Sequence, residues 1–137
     1  MQNLHETWIA LKLGGLMMLP LSVLAVLARA ILRVKAILYW RYARLSADLL
    51  APESVAGCRA RGELAAAAGR LGLYGEVEGV ACTLEALPSE GPHASAALSA
   101  LLRSLGHLVL GGRYAAADRL LSHIEARPDA VFDEDPL

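Results

Sequence analysis

The chain has little of what closes small domains covalently or around a metal. Among 137 residues there are two cysteines, Cys58 and Cys82. They stand far apart with no C-x-x-C pairing, which argues against a disulfide scaffold or a zinc ribbon. The four histidines, His5, His93, His107 and His123, share no metal-ligand spacing. Aromatic residues make up 5% of the chain and include one phenylalanine. The 55% hydrophobic content is therefore mostly Ala, Leu and Val, which favours helix and argues against an all-β fold. There is no phosphate loop, no G-x-S-x-G and no H-E-x-x-H. The sequence therefore offers no catalytic constellation, and the expectation is a non-enzyme without cofactor or metal.

Charge is unevenly placed. Residues 1–45 carry Lys12, Arg29, Arg33, Lys35, Arg41 and Arg44 against Glu6 alone. Residues 46–137 carry seven arginines, no lysine and thirteen acids. The net charge of −1 thus conceals a basic first third and an acidic remainder. The acidic part argues against nucleic-acid binding.

What is present is a long uncharged run. From Leu13 to Ala28 there is no charged residue, and extension to Trp8 adds only Lys12. About 20 apolar residues cross a bilayer core, and a lysine at the edge can snorkel to the headgroups. Trp8 marks one end; Tyr39, Trp40 and Tyr42 lie beyond the other. A cleaved signal would have a basic start, whereas "MQNLHETWIALK" has one acid and one base. "LARA" at 27–30 resembles a cleavage site, but arginine-rich sequence follows at once, as after a stop-transfer anchor. A buried soluble helix is the other rival. The balance favours a single span, and the five basic residues after it place the N-terminus outside and the C-terminus in the cytoplasm of a cell (inner) membrane. Candidate helix-packing residues within it are Gly14, Gly15, Pro20 and Arg29, since small residues let a neighbour approach and an arginine in hydrocarbon needs a partner.

Residues 29–45 continue as a basic amphipathic helix suited to contact with membrane lipid. The expected organisation is a transmembrane helix with this extension over 1–45, a linker over 46–52, a helical domain over 53–128 and an acidic tail over 129–137. Within the domain, Pro52 opens a helix in "PESVAGCRARGELAAAAGRLGL", and "GRLGLYGE" turns the chain. "EVEGVACTLEAL" then presents Val77, Val80, Ala81, Leu84 and Leu87 on one side. The strongest stripe is Leu98, Leu101, Leu102, Leu105, Leu108 and Val109, followed by "GGRY" and a stripe of Ala117, Leu120, Leu121 and Ile124. Tyr74 and Tyr114 head two similar segments, a hint of a repeat.

Two resemblances attach to these residues. "LKLGGLMMLPL" resembles the start of the first membrane helix in the proton-channel family of ExbB, TolQ and MotA, with Gly14, Gly15, Met18 and Pro20 in the family's Gly-Gly-x-x-Met-x-Pro pattern. Lys35 falls at that family's basic position, Val34 replaces its acid, and the helices that line its proton path have no counterpart. "LGHLVLGGRYAAADRLLSHIEARPD" resembles a tetratricopeptide hairpin through Gly112, Tyr114, Ala117 and Pro128, with Leu101 where a large aromatic is usual. A small antiparallel α-hairpin bundle is the plainer alternative. Together these imply an all-α, single-pass, non-catalytic adaptor or assembly subunit of a larger membrane complex, or an accessory to an ExbB/TolQ-like assembly. Its expected partners are other membrane-protein subunits and lipid, without nucleic acid or small-molecule substrate.

Overall fold

A computed structural model describes residues 2–127 as five helices, with no strand among them. The first, α1, runs from Gln2 to Leu49. After Pro20 it contains neither Gly nor Pro, and its Leu, Ala and Arg content sustains the helix. It stops where Ala51 precedes Pro52, because a residue before proline is pushed out of the helical region. The linker expected at 46–52 is therefore helical through Leu49. Ala43 and Ala47 are buried in the helical core, so this stretch belongs to the domain. The chain divides into two compact units, with the boundary between Lys35 and Ala36 rather than near residue 46.

In the second unit, α1 is followed by α2 (Val55–Leu71), α3 (Tyr74–Glu85), α4 (Ala94–Leu110) and α5 (Tyr114–Glu125). Pro52 precedes α2 instead of forming its first turn. Ser54 caps the helix, its Oγ accepting from Gly57 N at 2.9 Å.

The hint of a repeat becomes two hairpins of equal build. α2 and α4 each have 17 residues, and α3 and α5 each have 12. Gly72 and Gly112 make the turns at φ 75° and 70°, a left-handed conformation that favours glycine. In one turn Leu73 N donates to Ala68 O at 2.9 Å; in the other Arg113 N donates to Leu108 O at 2.9 Å. The hairpins pack side by side, with α2 against α4, α3 against both, and α5 against α4.

Their core is aliphatic: Leu84, Leu101, Leu108, Leu120 and Val77 are fully enclosed with Cys58. The buried stripes are narrower than the apolar periodicity alone implies. Leu105 and Ile124 are only partly buried, while Leu102, Val109 and Leu121 face outward. Pro128 and the acidic tail at 129–137 lie outside the described residues.

Candidate membrane and docking surfaces

From Leu4 to Leu49, α1 is long and apolar enough to cross a membrane, and among the described residues its most apolar window is unburied. Glycine, methionine, serine and alanine recur on one side. At about 100° per residue, Gly14, Met18, Ser22, Ala25 and Arg29 follow one another along a single face, with Gly15 beside them. A Cβ added at Gly14 or Gly15 would meet nothing within 4 Å, so the chain's own packing does not require either glycine. Arg29 is exposed at the far end of this face.

Pro20 points elsewhere, about 140° around the axis from Gly15. It removes one backbone donor inside the helix. Nearby, the Ser22 hydroxyl bonds back to Met18 O at 2.8 Å, an arrangement associated with bending. At the other end of the run the Lys12 ammonium lies 4.6 Å from the Trp8 ring centroid.

The second half of α1 has two sides. Trp40, Ala43 and Ala47 recur at helical spacing and pack on the core. Around them, three polar contacts fix the helix. The Trp40 indole N–H donates to Glu76 Oε2 at 2.6 Å, and Arg44 pairs with Glu76 Oε1 at 2.5 Å. The Tyr39 hydroxyl donates to Glu63 Oε2 at 2.6 Å. Glu63 also pairs with Arg103 of α4. These donors hold the Glu63 carboxyl below its usual range, the Tyr39 hydrogen bond first, and the same bond pushes the Tyr39 hydroxyl up. No local pattern reveals this network, because its partners lie 24 to 40 residues apart.

On the opposite side of this segment Leu38, Tyr42, Leu45 and Leu49 form an exposed apolar row, with exposed Arg41 beside it. A groove of mixed polar and apolar lining lies between α2 and α4, with Arg59, Glu63, Ala96 and Arg103 among its walls.

The residues considered for metal or redox chemistry are scattered. Among the described residues no three of His, Cys, Asp and Glu assemble as a ligand set. His107 lies against Gly69 of α2, where burial and the nearby Arg70 and Arg103 lower its pKa. Cys58 is buried, with its Sγ 3.3 Å from Pro52 O, and burial pushes its thiol up; Cys82 is exposed.

Set against models of known protein families, curated proteins and solved structures, the chain finds no match in any of the three.

Proposed function

We propose that this chain is a non-catalytic, membrane-anchored helical adaptor, an assembly subunit of a larger membrane complex. One observation carries the reading. α1 presents an uncovered apolar span in its first half, and in its second half it is fastened to a helical domain by Trp40, Tyr39 and Arg44. A helix with both properties anchors the domain close to a bilayer.

The orientation follows from charge. Five basic residues between Arg29 and Arg44 flank one end of the span and Glu6 the other, so the helical domain is cytoplasmic and residue 4 is outside. The two hairpins are tetratricopeptide-like in plan, although Tyr74 and Tyr114 stand 40 residues apart rather than about 34. Stacked hairpins of this kind offer extended surfaces to peptides and helices. The Gly14-Met18-Ser22-Ala25-Arg29 face gives a second contact within the bilayer, where small residues bring backbones together.

That face also favours the alternative reading, an accessory subunit of an ExbB/TolQ-like energy-transducing or transport complex, since it contains Gly14 and Met18 of the resembling motif, with Gly15 beside them. The two readings differ in which contact dominates, the helical domain in the adaptor and the span in the accessory subunit, and Gly15→Leu weighs them. Leucine favours the bilayer, so insertion should persist. In blue-native gels of solubilised membranes, loss of the wild-type assembly in the variant places the contact on the span. An unchanged assembly places it on the helical domain. Equal migration of both as monomers refutes the subunit reading.

A further inference from the structure

The two hairpins can be compared position by position, because their turns coincide at an offset of 40 residues (Gly72 with Gly112, Tyr74 with Tyr114). In the first hairpin, one face is covered by the second. A Cβ added at Gly62 would lie 3.1 Å from Ala100 Cβ, and one at Gly69 would run into His107. Ala81 on the same side is fully buried. On this side of α3, Glu78 pairs with Arg113 just before α5 at 2.7 Å, and Arg127 just beyond α5 reaches Leu84 O at 3.5 Å.

The corresponding positions of the second hairpin are Leu102, Val109 and Leu121. They are apolar and bare, at 46%, 45% and 42% exposure. The counterparts of Glu78 and Glu85 are Asp118 and Glu125, both exposed. A face that the repeat covers once is thus presented again, more apolar than the first and flanked by acids.

At the opposite end, the first hairpin is covered by the second half of α1, whose inner side holds Trp40, Ala43 and Ala47 and whose Arg44 reaches Glu76. The outer side of that same segment is the bare row of Leu38, Tyr42, Leu45 and Leu49 with Arg41 beside it. The stack α1–hairpin–hairpin therefore begins and ends on uncovered apolar faces, one with a free arginine and the other with free carboxylates. Both belong to one compact unit.

We propose that a second copy of this chain covers the end face: the outer row of its α1 segment, from Leu38 to Leu49, docks on Leu102, Val109 and Leu121, with Arg41 reaching Asp118. Such a contact joins unlike surfaces. It continues the stack from copy to copy and gives a ring if the rotation closes or a row if it does not. The proposal deepens the assembly-subunit reading by naming one partner, but it does not depend on the other subunits.

The test uses the full chain in detergent or nanodiscs, with Cys82→Ser to remove the exposed thiol. Copies carrying Tyr42→Cys and copies carrying Val109→Cys, distinctly tagged, are mixed and oxidised. The proposal expects a disulfide between unlike copies and little between like ones. A Val109–Val109 crosslink would instead indicate a symmetric pair of second hairpins and would overturn it. So would the absence of any crosslink, as expected if the α1 row simply faces lipid. Charge exchange gives a second, independent readout by sedimentation. Asp118→Arg and Arg41→Asp should each weaken self-association about tenfold, and their combination should recover most of the loss. Failure of recovery overturns the pairing. Co-purification of foreign subunits alongside failed crosslinks would leave the adaptor reading standing and remove this proposal alone.

Discussion

Trp40 and Glu76 join the end of α1 to the start of α3: the indole N–H donates to Glu76 Oε2 at 2.6 Å, and Arg44 holds the other oxygen. This carboxylate is what α1 grips in the helical domain. Glu76→Ala should loosen the last turns of α1 and cost about 1 kcal/mol, since hydrogen bonds to a charged group count for more than neutral ones but this one is partly open to water. With Trp8→Phe leaving Trp40 as the only tryptophan, its fluorescence should shift to the red in the Glu76 variant. An unshifted spectrum would mean that the contact does not order the helix.

The domain's stability should centre on Leu101 rather than on Leu105. Leu101 is fully enclosed between the hairpins, whereas Leu105 is only partly buried. Leu101→Ala should cost about 2–5 kcal/mol as a buried large-to-small change, and Leu105→Ala clearly less. Chemical denaturation of both variants checks the order. Equal losses would mean that the two leucines share one environment.

How much of this was legible in the sequence depends on the residue. The long apolar helix showed itself through a missing feature, charge, between Leu13 and Ala28. The hairpins showed themselves through Gly72 and Gly112, because a left-handed turn leaves a chemical mark. The inner side of α1 left none: Ala43 and Ala47 pack by being small, and alanine is common on every helix face. For the same reason a linker was expected where α1 continues. The stripe on α4 read too wide because periodicity reports apolarity and not cover. Leu102 and Val109 are as apolar as Leu101, and only the neighbouring hairpin decides which are enclosed. Gly62 and Gly69, among the alanines of α2, and Gly111 against Tyr74 mark that close packing.

Acid should weaken the domain in two windows. His107 has a lowered pKa in the folded chain, so it resists protonation there more than when unfolded. Its contribution is complete above the ordinary histidine value of about 6.5 and is lost as pH falls below it toward the folded value. Glu63 also has a lowered pKa, through Tyr39 and Arg103. Its contribution is complete above the ordinary value of about 4.3 and disappears as pH falls through the folded value. In thermal melts across this range, His107→Gln should flatten the upper window and Glu63→Gln the lower. A variant whose profile parallels the wild type would clear its residue of the effect.

The most direct test of the anchor is a reporter fused after Leu137 that is active only outside the cytoplasm, read on carbonate-washed membranes. The account predicts a full-length, uncleaved fusion that stays with the membrane and is silent. A fusion released by the wash, shortened at its N-terminus or strongly active would contradict it.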